Sequence, residues 1–148
     1  METKSIEIVL IEDNPYDAEM IIRALKKNNN INSIVHLKDG VEALDFFFGT
    51  GAYKERTLNV IPKVIFLDLK MPKVNGIEVL RKLRSDDNLK VIPIVILTSS
   101  KEDADIGTCY NLGANSYVVK PVGFENFSKS ISDLGLYWVF LNESINQI

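Results

Sequence analysis

Five short runs of apolar, mostly β-branched residues recur along this chain, and after each comes a segment whose apolar residues fall three and four apart. The runs are residues 6–11, 33–37, 64–67, 93–98 and 116–119. Runs this short and apolar read as strands covered on both faces, and the three-and-four spacing reads as one face of a helix. Strands that alternate strictly with helices make right-handed βαβ units and a parallel sheet with helices on both sides. No other property of the sequence narrows the fold so far.

The punctuation between the runs agrees. Asn14-Pro15 supplies an N-cap and a proline for the first helical position, and the apolar face of Ala18, Ile21, Ile22 and Leu25 follows until Asn28-Asn29-Asn30. Asp39-Gly40 opens a second helix through Ala43, Leu44 and Phe47, and a third runs from about Asn75 to Arg84. Ser99 and Ser100 offer caps for a fourth, and a fifth begins near Phe124. The expected fold is α/β: a flavodoxin-like (βα)5 doubly wound parallel sheet in strand order 2-1-3-4-5, with residues 1–148 forming a single domain with an extended C-terminal helix. In that winding the strand order reverses between the first and third strands, and ligands bind at their carboxyl ends.

Charge and composition exclude several functions. A net charge of −3 and short basic clusters (Lys26-Lys27, and Arg81-Lys82 with Arg84) argue against a nucleic-acid surface. No apolar run reaches the length of a membrane span and the first residues lack a signal-peptide core, so a cytoplasmic location is expected. The single cysteine, Cys109, precludes an internal disulfide and a multi-cysteine zinc site, and reads as a buried thiol. His36, the only histidine, falls at a strand end away from any nucleophile and reads as structural or exposed. Gly49-Thr50-Gly51 follows a helix and lacks the third glycine of a nucleotide loop, so helix-ending glycines account for it.

The chemistry gathers at the strand ends. In KVIFLDLKMP, residues 63–72, a buried strand ends on Asp68, and the first strand ends on Glu12-Asp13. Three carboxylates thus meet at the switch point. At about 4 Å and an effective dielectric of about 20, each charged pair costs roughly 4 kcal/mol. Either a raised pKa or a bound cation must relieve that, and oxygen-only ligands suit Mg2+ better than zinc or copper. The fourth strand ends on Thr98 and the fifth runs into Lys120-Pro121. A hydroxyl and an ammonium beside a lone carboxylate can neutralise a phosphoryl group while an aspartate oxygen attacks it.

These residues, taken in order, resemble the receiver domains of two-component response regulators. The motifs are Glu12-Asp13, Asp68-Leu-Lys-Met-Pro72 with Gly76, Thr98, and Lys120-Pro121, and the resemblance runs from about Ile6 to the last helix. It implies a signalling protein, not a turnover enzyme. Asp68 would be the phosphoacceptor, charged by a histidine kinase. Mg2+ would be held by Glu12, Asp13, Asp68 and the backbone carbonyl of Lys70. Lys120 and Thr98 would contact the phosphoryl group, Thr98 and Tyr117 would be the switch pair, and Pro121 would follow a cis peptide bond. Glu12 replaces the commoner aspartate, and Lys70 and Ser100 stand where the family tunes acyl-phosphate hydrolysis. The long segment 50–61 and the C-terminal extension resemble the single-domain regulators partnered with phytochrome-type histidine kinases.

Output must leave through a surface. Phe124, Phe127, Ile131, Leu134, Trp138 and Leu141 form one apolar seam on the last helix, while Tyr137, Val139 and Phe140 lie off it. An end that is apolar all round marks an interaction site at Tyr137, Trp138 and Phe140, for a homodimer or for docking on the kinase. Gly135 is expected to let the helix bend. Two rival readings exist. A degenerate receiver acting only as a protein-binding module is opposed by the intact set Asp13, Asp68, Thr98 and Lys120. A haloacid-dehalogenase-type phosphatase would need an acid where Lys70 stands.

Overall fold

The strands form because β-branched and aliphatic residues line both faces of a sheet whose three central strands are shut off from water. The computed structural model describes residues 6–28, 31–54, 61–120 and 124–145, without the side chains of 124 and 125. β1 (Ile8–Ile11), β2 (Ile34–Leu37), β3 (Val64–Leu67), β4 (Ile94–Thr98) and β5 (Ser116–Val119) pair in parallel in the order β2-β1-β3-β4-β5. The expected winding is thus the observed one. Every residue of β1, β3 and β4 is buried, as the unbroken apolar runs require.

Alternate side chains serve two cores. Ile8, Leu10, Val64, Phe66, Val95 and Leu97 face α1 (Pro15–Lys26) and α5 (Phe124–Leu136), meeting Ile21, Leu25, Phe127 and Ile131. Val9, Ile11, Ile65, Leu67 and Ile96 face α2 (Gly40–Phe48), α3 (Gly76–Ser85) and α4 (Asp103–Leu112), meeting Phe46, Phe47, Leu80, Leu83 and Cys109. Among the described residues no helix is long and apolar enough to cross a membrane.

The caps fall where the sequence puts them, with one exception. Asn14, Asp39 and Asn75 each accept a backbone hydrogen bond from the first turn of α1, α2 and α3. Gly49 ends α2 in the left-handed region, at φ 67°. The cap of α4 is Glu102, which makes no capping bond with its side chain, and not Ser99 or Ser100. Ser100 turns its hydroxyl to Asp105 instead, at 2.6 Å.

The C-terminal end departs from the expected continuous seam. α5 continues past Gly135, which is buried, and a Cβ there would lie 2.9 Å from Leu25 Cδ2 and 3.1 Å from Ile31 Cδ1. Glycine serves close approach of α5 to Leu25 and Ile31 here. The helix then widens into a π turn at Tyr137–Leu141, closed by the Asn142 N–H donating to the Tyr137 carbonyl at 2.7 Å. Hydrogen bonding to the fifth residue in place of the fourth widens the turn and rotates the seam, so Val139 is buried and Leu141 is 72% exposed, the reverse of their expected places.

Gly76 ties the fold to the strand ends. A Cβ there would stand 2.1 Å from the Asp68 carbonyl oxygen and 2.7 Å from the Leu69 Cα, both backbone atoms that cannot yield cheaply. Gly76→Ala is therefore expected to lose about 1–3 kcal/mol or more of stability by overpacking. Denaturant unfolding checks this, and a loss under about 0.5 kcal/mol would mean that α3 does not press on the Asp68 loop.

Candidate functional site

The hydrogen-bond ladder runs one residue past the strands and carries charge with it. The Glu12 N–H donates to the Leu37 carbonyl at 3.1 Å, the Asp68 N–H to the Ile11 carbonyl at 3.1 Å, and the Lys120 N–H to the Thr98 carbonyl at 2.7 Å. Glu12, Asp68 and Lys120 therefore share one rim of the sheet. After Asp68 the chain makes a tight turn at Lys73, whose φ of 64° accompanies a Val74 N–H to Pro72 carbonyl bond of 2.8 Å.

Lys120 is the hub of the rim. Its ammonium donates to Glu12 Oε1 at 2.6 Å, to Asp17 Oδ2 at 2.9 Å and to Asp68 Oδ2 at 3.4 Å. Glu12 and Asp68 are buried, so the pairing keeps their charge from being stranded in a poorly solvated place. Burial pushes the Glu12 carboxyl up from its ordinary 4.5 to about 7, with the Asp68 charge adding to the rise and Lys120 opposing it. Burial alone would lower the Lys120 ammonium, but hydrogen bonds to Glu12 and Asp17 carry it above its ordinary value.

A divalent cation fits this rim. Carboxylate oxygens of Glu12, Asp13 and Asp68 lie within 4.8 Å of one another, an all-oxygen donor set of the kind that hard cations take. The Lys70 N–H donates to Asp68 Oδ1 at 3.4 Å, which brings that residue's backbone alongside.

Behind the rim, Thr98 is fully buried at the end of β4, and its Oγ1 accepts from the Ser100 N–H at 3.4 Å. The Tyr117 hydroxyl donates to the Ser100 carbonyl at 3.0 Å, so Thr98 and Tyr117 act on one loop. Cys109 is fully buried and its thiol is pushed up to about 11 by burial and by Asp105, which makes it inert packing.

Residues 8–132 match the response regulator receiver domain family. The chain belongs to that family. It is 36% identical over 93% of its length to the probable methanogenesis regulatory protein FilR2 of Methanothrix harundinacea, covering 86% of that protein. The phosphorylated cyanobacterial phytochrome response regulator RcpA superposes with a TM-score of 0.87 at 31% identity, over 95% of this chain and 99% of that one. The bacteriophytochrome response regulator AtBRR is 48% identical with a TM-score of 0.72, over 95% and 100%. Phytochrome-associated response regulators are thus among the close relatives of this receiver.

The receiver's rim unites four of the residues expected from sequence, Glu12, Asp13, Asp68 and Lys120. Thr98 and Tyr117 join through Ser100, and Pro121 lies outside the described residues. Tyr137 and Phe140 are exposed, whereas Trp138 is half-buried and meets Tyr137 edge-on with centroids 5.0 Å apart. His36 is exposed, with Nε2 2.9 Å from the Glu12 carbonyl. Sequence reasoning missed Asp17 and Asp105. Asp17 stands in the first turn of α1, where an acid is expected for the helix dipole alone, so nothing marked it out.

Glu12 gives the receiver a pH signature. Its proton is held more tightly in the folded chain than in the unfolded one, so without divalent ions its contribution to stability falls as pH rises from about 4.5 to about 7. Melting curves in a chelator should show the parent losing stability across that window relative to Glu12→Gln. A parent that gains on Glu12→Gln over the same window would contradict the assignment.

Proposed function

We propose that this receiver accepts a phosphoryl group on Asp68 from the phosphohistidine of a sensor kinase. The supporting observation is the Asp68 carboxylate itself: buried at the end of β3, beside two further acids and 3.4 Å from an ammonium. An Asp68 oxygen attacks phosphorus, the P–N bond breaks, and its electron pair goes to the imidazole nitrogen, which takes a proton from solvent. Lys120 offsets negative charge on the phosphoryl oxygens, and the buried Thr98 hydroxyl can donate to one of them. Mg2+, held by the carboxylates of Glu12, Asp13 and Asp68 and the Lys70 carbonyl, would add positive charge at the same place.

Output then follows from the loop that Thr98 and Tyr117 share. A Thr98 hydroxyl drawn toward the phosphoryl group shifts the Ser100 segment, on which the Tyr117 hydroxyl is anchored at 3.0 Å. That couples the rim to the α4 and β5 surface. The kinase is of the phytochrome type, a reading supported by likeness to RcpA and AtBRR. The exposed Leu136, Tyr137, Phe140 and Leu141 form the contact of a homodimer. The receiver works in the cytoplasm, without nucleic acid.

Intact mass after incubation with acetyl phosphate and Mg2+ tests the reading. One added phosphoryl group is expected on the parent, none without the metal and none on Asp68→Asn. An adduct that persists on Asp68→Asn would contradict the acceptor assignment, and absence of any adduct or any beryllofluoride binding would favour a pure binding module. Native mass of the same samples should show a dimer that Phe140→Glu weakens.

A further inference from the structure

We propose that Asp17 is a positioning residue that holds Lys120 back from Asp68 and so sets how tightly the receiver retains a phosphoryl group. The proposal rests on the phosphoacceptor reading above. An ammonium has three N–H donors. Here all three face carboxylates, and the contact to Asp68, at 3.4 Å, is the longest. Glu12 at 2.6 Å and Asp17 at 2.9 Å draw the lysine toward β1 and α1.

Asp17 differs from the other acids of the rim. The carboxylates whose oxygens cluster within 4.8 Å are those of Glu12, Asp13 and Asp68, so Asp17 stands outside the cation-binding set. An acid in the first turn of α1 is explained by the helix dipole alone. The dipole does not explain a side chain turned onto a lysine 103 residues away. The Asp17 carboxylate is about a third exposed and costs little to desolvate, and Lys120 is largely covered.

The consequence is a competition. A phosphoryl group on Asp68 brings two or more charged oxygens that need the same ammonium hydrogens. Glu12 is shared with the cation set, which leaves Asp17, whose carboxylate among the described residues bonds to Lys120, as the partner outside that set. For the lysine to turn fully onto the phosphoryl group, the Asp17 contact has to lengthen, and the Asp17 charge also repels the incoming group. Removing that charge frees the lysine.

Beryllofluoride with saturating Mg2+ provides the test, because it mimics the phosphoryl group without kinase or hydrolysis. Binding is followed by fluorine NMR on the parent, Asp17→Asn and Asp17→Glu, with Mg2+ affinity and melting temperature measured alongside. Asp17→Asn should bind about three- to fivefold more tightly, the scale of one partly exposed ion pair lost from competition, and Asp17→Glu should return toward the parent. In a Lys120→Met background the gain should shrink to less than about twofold, because the two residues act through one contact. A role confined to the helix dipole would lower the melting temperature and leave beryllofluoride affinity unmoved, which overturns the proposal, as does weaker binding by Asp17→Asn. A parent that binds no beryllofluoride overturns the phosphoacceptor reading, and this proposal with it.

Discussion

The ammonium of Lys120, set against carboxylates from β1, β3 and α1, is the interaction around which this receiver is organised. Three acids at one sheet edge repel each other, and neither burial nor the helix starts nearby would hold them together unaided. The lysine arrives from the far side of the sheet order, on β5, and reaches over β4 to the β1–β3 crevice. Only a parallel sheet whose strands all end at one rim can bring those four strand ends to the same side. The fold and the charge cluster are in that sense one arrangement.

The scaffold is rigid where the chemistry needs it. β1, β3 and β4 are buried throughout, and the backbone at Asp68 is pressed by Gly76 at the start of α3, where no side chain fits. The β4–α4 loop and β5 are looser in construction. β5 is only half-buried, α4 lacks a side-chain cap, and a few hydrogen bonds among Tyr117, Ser100 and Asp105 hold the loop behind Thr98. Elements with few buried contacts are where a small free-energy input can change an arrangement.

Most of the fold was legible because it depends on local patterns. Unbroken apolar runs marked β1, β3 and β4, and Asn14, Asp39 and Asn75 marked helix starts that the structure places within a residue. Strand ends were less legible: β1 begins at Ile8 and not Ile6, although the Glu7 backbone still bonds to Ser33 on one side and to Lys63 on the other, because apolar character does not mark where regular pairing starts. Glu12, Asp13, Asp68 and Lys120 could be read as a group because the strand order alone brings them together. Asp17 could not, since its value lies in a contact across the whole fold. The π turn was equally hidden: Phe127, Ile131 and Leu134 obey a 3.6-residue period, and nothing in Tyr137–Leu141 announces that the period changes.

Likeness to RcpA and AtBRR, together with the exposed aromatic end after α5, directs attention to assembly. The physics of the rim comes first, however, because the proposed chemistry depends on Asp68 being crowded by Glu12 and Asp13 at the end of β3. The melting temperature of Asp68→Asn against the parent, with and without Mg2+, tests that most directly. Without metal the variant should melt at or above the parent, since it loses a repelling charge and only the longest of the three lysine contacts, and Mg2+ should stabilise the parent by more than the variant. A metal-free variant markedly less stable than the parent would contradict the crowding of carboxylates on which the account rests.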